Sequence, residues 1–269
     1  MDWIRLETRV YWVVFVGAFL LVGMWENRTP QRDWLVPSGK RWRNHFLLFL
    51  CFAVVQLAVR LGSPVSVALA AESGGWGLLP RLGLPYWLGF GVTVLALDAV
   101  KYGMHRLFHM LPFLWPVHRV HHSDPDFDVA TSLRFHPAET LLMQVADLST
   151  IFALGGPVAA VFVSSVTVNL VNTIQHANAN LPEAWERRLG PWLMTARVHR
   201  IHHSDSWSDE HTNFGEVFPW WDRMFGTYRW VPERGKGMQV GLPGYQDERS
   251  TGLVEMLTQP LQRDRSRQS

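Results

Sequence analysis

The stretch from Tyr86 to Met110 reads YWLGFGVTVLALDAVKYGMHRLFHM and carries two messages in one helical register. Its first half is free of charge as far as Leu97. Its second half admits Asp98, Lys101 and Arg106 and ends with His105 and His109. Spacing i, i+4 stacks two side chains on one face of a helix. A helix of this length reaches across the roughly 30 Å hydrocarbon core of a bilayer. The segment therefore reads as a span that delivers two imidazoles to one membrane face.

Working outward, three more apolar regions appear. Val10–Trp25 (VYWVVFVGAFLLVGMW), which Trp3 and Ile4 could extend, has no small-residue cleavage site after it and reads as an anchor. His45–Leu61 (HFLLFLCFAVVQLAVRL) is a second span, with Arg60 placed to snorkel at its end. Leu141–Val171 is broken at Gly155-Gly156-Pro157, and each half is short for a crossing. It reads as a helical hairpin that dips into the bilayer and returns. Two intervening stretches are read as loops: Glu26–Asn44 holds Arg28, Arg32, Lys40, Arg41 and Arg43, whereas Gly62–Pro85 holds Arg81 alone. The positive-inside rule puts the first in the cytoplasm and the second outside. His105, His109 and everything after the hairpin then fall on the cytoplasmic face. The expected fold class is all-α: an integral membrane helical bundle of three spans plus a helical hairpin, with a cytosolic histidine-rich helical cap. Three segments are expected: membrane helices in 1–85, a catalytic core in 86–230 and a polar tail in 231–269.

Of twelve histidines, ten lie between His105 and His203. Beyond His105 and His109, His118-Arg-Val-His121-His122-Ser-Asp124 is repeated almost letter for letter as His199-Arg-Ile-His202-His203-Ser-Asp205. Within each copy all three imidazoles are expected to face one point. Eight clustered imidazoles exceed what one tetrahedral ion takes and suit two metal ions with open positions. Neutral imidazole accepts iron, zinc or copper. The expected ligands are His105, His109, His118, His121, His122, His199, His202 and His203. His176, just after the hairpin, is either a ninth ligand or a hydrogen-bonded structural residue. Asp98, Asp124, Glu139 and Asp205 are candidates to orient the rings. His136, which precedes Pro137, reads as a turn or orienting residue, and His45 and His211 as non-ligands.

Composition closes off other classes. The formal charge is +2, so nucleic acid is not an expected partner. The single cysteine, Cys51, excludes an intrachain disulfide and reads as a small buried hydrophobe. Fourteen tryptophans suit a membrane–water boundary. Trp220, Trp221 and Phe225 are expected to pack the cap onto its helices, and Gln262–Ser269 to be a disordered end.

These motifs, together with Asp98…Tyr102-Gly-Met, Leu114-Trp115-Pro-Val, Arg134-Phe-His136-Pro-Ala-Glu139, Gln175-His176-Ala-Asn178, Asn213-Phe-Gly215 and Trp221-Asp-Arg-Met-Phe-Gly-Thr227, resemble the fatty acid hydroxylase superfamily in its sterol desaturase branch, over roughly residues 86 to 228. The resemblance implies a membrane bundle capped by a dinuclear metal centre. It also implies oxygen-dependent hydroxylation or desaturation of a lipid such as a sterol or fatty acyl chain. Two iron ions and O2 follow, zinc being an acceptable substitute in purified protein. Electrons would come from a separate donor of the cytochrome b5 or ferredoxin type. Some fatty acyl hydroxylases of the superfamily carry a second HxxxH where this chain has His176…Asn180, which weakens the transfer of a fatty acyl substrate.

Two other functions compete. A membrane-embedded zinc hydrolase needs one ion and a base, as in HExxH, which does not occur here. A metal transporter places ligands near the bilayer midplane, whereas these clusters lie beyond the apolar runs.

Overall fold

The computed structural model describes residues 2–266. Long helices form where the apolar runs predicted them: α1 (Trp3–Arg28), α2 (Ser38–Val59), α5 (Tyr86–Met110), α7 (Pro137–Leu154) and α8 (Val158–Gln175). Between α2 and α5 lie α3 (Pro64–Gly74) and α4 (Leu78–Leu82), and between α5 and α7 lies α6 (Trp115–His122). Beyond α8 the chain makes only short helices: α9 (Glu183–Leu189), α10 (Ala196–His202), α11 (Trp207–Glu210), α12 (Trp220–Met224) and α13 (Leu253–Thr258). Among the described residues the only β pairing is an isolated bridge of Ser204 with Val240.

Three stretches, Trp3–Arg28, Ser38–Leu82 and Val158–Gln175, are long and apolar enough to cross a membrane. Their surfaces are inverted relative to a water-soluble protein. Val13, Val16 and Leu20 of α1, Leu50, Val54 and Leu57 of α2, and Val145 and Phe152 of α7 face outward. Charged groups such as Glu26, Arg41, Asp98 and Glu139 are buried instead. Exposed apolar faces this extensive need lipid to cover them. The chain is an all-helical membrane bundle.

The α7–α8 hairpin is the bundle's centre. The helices turn at Gly155, whose φ of 60° lies in the left-handed region. Pro157 then sets the entry to α8. Gly77 and Gly155 touch backbone to backbone: a Cβ on Gly77 would lie 2.4 Å from the Gly155 nitrogen. α5 packs against both hairpin helices, and α1 runs along α8. The inward stripe of α5, Gly89, Thr93, Leu97, Tyr102, His105 and His109, follows helical spacing and carries the apolar core into the metal centre.

Four expectations are corrected. Gly62–Pro85 is not an open loop. Its apolar segment folds as α3, and Val65 and Ala68 share a core with Leu97, Ile151, Val158 and Val161. Glu26–Asn44 is not loop throughout, because α1 runs to Arg28 and α2 starts at Ser38 and buries Arg41 against Asp124 (2.8 Å) and Asp128. Cys51 is half-buried, not buried. The chain end is anchored through residue 266. Trp115 donates to Asp264 (2.9 Å), Arg119 donates to the carbonyls of Gln259 (2.7 Å) and Gln262 (3.1 Å), and the backbone N–H of Arg265 donates to the Tyr245 hydroxyl (3.2 Å). Residues 267–269 of that expected disordered end lie outside the described residues. Upstream, Met256 packs on Leu48 and Val120, so α13 closes over α2 and α6.

Trp221 and Phe225 do fasten the cap to α5. The Trp221 indole donates to Asp98 (2.8 Å), and Phe225 stacks on Tyr102 with ring centres 5.6 Å apart. Trp220 packs within the cap instead, on Phe218 and Trp192.

Candidate metal centre

Four elements supply the imidazoles. The last turns of α5 bring His105 and His109, and α6 brings His118, His121 and His122. The end of α8 brings His176, and α10 with its cap residue brings His199, His202 and His203. All nine are buried.

They do not form a single cluster. His105, His109, His118, His122 and His202 gather in one group, and His121, His176, His199 and His203 in another. Within each group the ligand-capable atoms all lie within 4.8 Å of one another. The expectation that each HxxHH faces one point is therefore corrected. His118 and His122 share a group while His121 turns to the other, and His199 and His203 share a group while His202 crosses over. Helical geometry requires this, because adjacent residues are about 100° apart around a helix. Each motif thus feeds both groups, and the stacked rings of His122 and His203, 4.4 Å apart, lie at the seam.

The ring protons show what the groups suit. Nδ1 of His105 lies 2.9 Å from the Phe214 carbonyl, Nδ1 of His202 2.7 Å from that of Thr212, Nδ1 of His121 3.3 Å from that of Arg134, and Nδ1 of His176 2.7 Å from that of Asn172. A carbonyl only accepts, so each Nδ1 carries the proton and each neutral ring keeps its lone pair on Nε2. Yet these Nε2 atoms face each other, His105 with His202 at 2.9 Å and His121 with His176 at 3.2 Å. His176 also meets His199 at 3.1 Å, and His118 meets His122 at 3.1 Å. Paired lone pairs repel unless a cation lies between them. Nitrogens about 2.1 Å from a shared ion, at right angles to it, are separated by roughly 3 Å. Neither nitrogen of His109 has a hydrogen-bond partner among the described residues. The donor set fits two metal ions.

Burial, reinforced by the neighbouring imidazoles, holds His121, His122, His199, His202 and His203 well below the usual histidine range. Burial also brings His176 down to about 4. The rings are therefore neutral, as ligation requires.

Of the four carboxylates expected to orient rings, Glu139 does so, accepting from His118 Nδ1 at 2.6 Å. The other three serve the scaffold. Asp98 accepts from Val217 N–H and Trp221, Asp124 from Arg41 and Thr131, and Asp205 from Arg234. Backbone carbonyls do most of the orienting, those of Thr212, Phe214 and Arg134 outside the α-helices and that of Asn172 in α8, and no side-chain motif announces them. Phe135, which the motif reading passed over, stacks on His121 with ring centres 4.2 Å apart. His136 caps α7 by accepting from Ala138 N–H (3.1 Å), and its other nitrogen donates to the Leu257 carbonyl (3.3 Å), so it is a turn residue. His45 donates to the Ala130 carbonyl (3.1 Å) and accepts from Arg134 (2.9 Å). His211 lies outside both groups, stacked on Trp207, with its ring centre 5.6 Å from that of His109.

The family model for fatty acid hydroxylases matches residues 90–227, which include every histidine of both groups. The chain belongs to the fatty acid hydroxylase family. Among similar fatty acid hydroxylase relatives, an ornithine lipid hydroxylase, OlsE, of Rhizobium tropici is 27% identical over 96% of this chain and 78% of its own length. Methylsterol monooxygenase 1 of Danio rerio is 28% identical over 70% of this chain and 62% of its own length. An alkylglycerol monooxygenase of Danio rerio is 32% identical over 64% of this chain but only 37% of its own length. No solved structure matches. As a member of the family the chain is an oxidoreductase, and its two histidine groups could each hold a metal ion.

Beneath the metal centre lies a cavity of about 280 Å³. Tyr11, Leu97, Lys101, Phe135, Glu139, Ile151, Asn172 and Glu216 are among its lining residues. Phe135 and Glu139 touch both this cavity and the histidine groups, so a molecule held there lies next to those groups.

Proposed function

We propose that this chain is a di-iron oxygenase that hydroxylates a C–H bond of a membrane lipid. The observation that carries the reading is the convergence of Nε2 lone pairs in two adjoining buried groups, set directly over a cavity in a lipid-exposed bundle. The nine histidines of the two groups are the assigned ligands, with His176 in the second group. Dioxygen is the co-substrate, and the catalytic core is residues 86–230. A bound iron pair would supply the oxygen activation needed to attack an unactivated C–H bond. One oxygen atom enters that bond and the other leaves as water, with two electrons and two protons supplied from outside. A separate protein of the cytochrome b5 or ferredoxin kind is the electron source.

The chain's own residues do the positioning. Carbonyls and Glu139 fix ring orientation, so the ligand nitrogens need little rearrangement. Buried side chains on every side keep bulk water from the centre. A lipid enters between the helices, its reactive carbon stopping at Phe135 and Glu139. The relatives' named substrates, an ornithine lipid, a methylsterol and alkylglycerols, share a long apolar body, which suits this entry.

Orientation follows from the arginine-rich segment. Arg41 and the backbone of Leu35 and Val36 bind Asp124 and Asp126 of the cap, so this segment and the metal centre share a side. The positive-inside rule makes that side cytoplasmic. Mass spectrometry of lipids from cells with the wild-type gene, an empty vector and a His109→Ala variant tests the reading. A lipid gaining one oxygen atom only with the wild type is expected, and identical lipid profiles in all three would overturn it.

A further inference from the structure

His211 lies outside both histidine groups, yet it joins one of them to the protein surface. Its ring meets that of His109 edge to face with centres 5.6 Å apart, and it stacks on Trp207 at 4.3 Å. Trp207 opens α11 and His211 caps its end, so i, i+4 spacing sets one ring over the other. Nδ1 of His211 donates to the Trp207 carbonyl (3.0 Å), which holds the stack. Trp207 itself is 70% exposed. Its neighbours are polar: Ser206 and Ser208 both donate to Glu233, and Arg229 donates to Ser208 (3.0 Å). An indole left open among such groups faces water and not lipid. Exposed tryptophans of this kind anchor contacts with other proteins.

The other rings that touch the histidine groups offer no equally short exit among the described residues. Phe108, Trp115, Phe127 and Phe214 are buried, and Phe135 lines the lipid cavity. A path from Phe214 through Tyr102 does reach the exposed Phe225. It needs one ring more, and the Tyr102 and Phe214 ring centres are 6.3 Å apart. Electron tunnelling weakens exponentially with the gap to be crossed, and rings in contact bridge a gap with polarizable π electrons. An electron reaching Trp207 has only the His211 ring between it and His109, whose two nitrogens have no hydrogen-bond partner.

Resting on the hydroxylase reading, we propose that Trp207 and His211 form the entry path for electrons from the one-electron carrier protein to the first histidine group. The carrier loses one electron at Trp207, and an iron ion held by that group passes from ferric to ferrous. Two such transfers supply the two electrons that a turnover consumes. A ruthenium polypyridyl photoreductant attached at Glu233→Cys, in a background where the only cysteine is removed by Cys51→Ser, tests the path. It puts the electron source beside Trp207 without the natural carrier. Flash reduction of the oxidised, iron-loaded protein is followed by absorbance. Trp207→Leu and His211→Leu should each slow it by an order of magnitude, at unchanged metal content and with full reduction by dithionite. Trp207→Phe, which keeps a ring, should stay close to the unsubstituted rate, a pattern that a structural role would not produce. Equal rates with and without Trp207→Leu, or a Trp207→Phe rate as slow as that of Trp207→Leu, would overturn the path and leave the oxygenase standing. Bound metal that accepts electrons from neither the flash nor dithionite would remove the oxygenase reading itself.

Discussion

The Glu139 carboxylate, on the first turn of α7, lies 2.6 Å from Nδ1 of His118 on α6 and so ties the membrane hairpin to the metal centre. Removing it leaves the His118 ring without its orienting acceptor, an effect that typically costs 10–100-fold in metal affinity. Glu139→Ala should therefore release metal to a competing chelator at about one-tenth to one-hundredth of the wild-type concentration. Retention equal to the wild type would remove Glu139 from this role.

Arg41 is buried between Asp124 and Asp128, with Asp126 3.9 Å away. Replacing one partner of a buried ionic group leaves uncompensated charge and costs about 3–5 kcal/mol. Arg41→Leu should sharply lower the thermal midpoint in detergent, while Arg43→Leu, two residues on and exposed, should not. Equal midpoints would show that the triad of aspartates does not depend on this cation.

Gly155 holds φ at 60°, and a Cβ there would lie 2.0 Å from the Trp76 carbonyl oxygen. Gly155→Ala must shift one backbone against another and should destabilise by more than the roughly 1 kcal/mol of left-handed strain alone. Gly91→Ala, with open space around its Cβ, should behave as wild type. Thermal aggregation of the two variants in detergent compares them.

Metal-depleted protein should be acid-labile. His121, His122, His199, His202 and His203 have depressed folded-state values, and His176 stands at about 4. Unfolded histidine titrates near about 6.5. Above that value neither state takes up protons at these rings and stability is full. Below it the unfolded state binds more protons, and stability falls until the folded values are reached. Each such ring contributes a slope of about 1.4 kcal/mol per pH unit in that window. Thermal midpoints of the metal-depleted protein should be flat between about pH 7 and about pH 8 and fall steeply below about 6.5. A midpoint unchanged between neutrality and about pH 5 would contradict buried, neutral imidazoles.

Much of this architecture was legible in the chain. The long apolar runs located α1, α2, α5 and the hairpin, and Gly155-Gly156-Pro157 marked its turn. Helix α3 was missed because eleven residues are too few for a span, and its apolar face is earned by packing on the hairpin. Eight of the nine histidines of the two groups stood out by spacing, whereas His176 stayed open between ligand and structural residue, and the division into two groups did not show. It follows from the 100° step between His121 and His122, which sends neighbours to different groups. The acceptors that fix the rings, the carbonyls of Thr212, Phe214, Arg134 and Asn172, belong to the backbone and leave no signature in side-chain identity. Arg41 sat in a basic run read as a cytoplasmic loop, and only the fold brings Asp124 and Asp128 to it.

The metal-to-chain ratio of protein purified after iron-supplemented growth, measured on the wild type and on a His105→Ala, His202→Ala double variant, tests the paired-site geometry most directly. Two ions per chain in the wild type and one in the double variant are expected, because the second group keeps its four ligands. A single ion in the wild type, or two retained in the double variant, would contradict it.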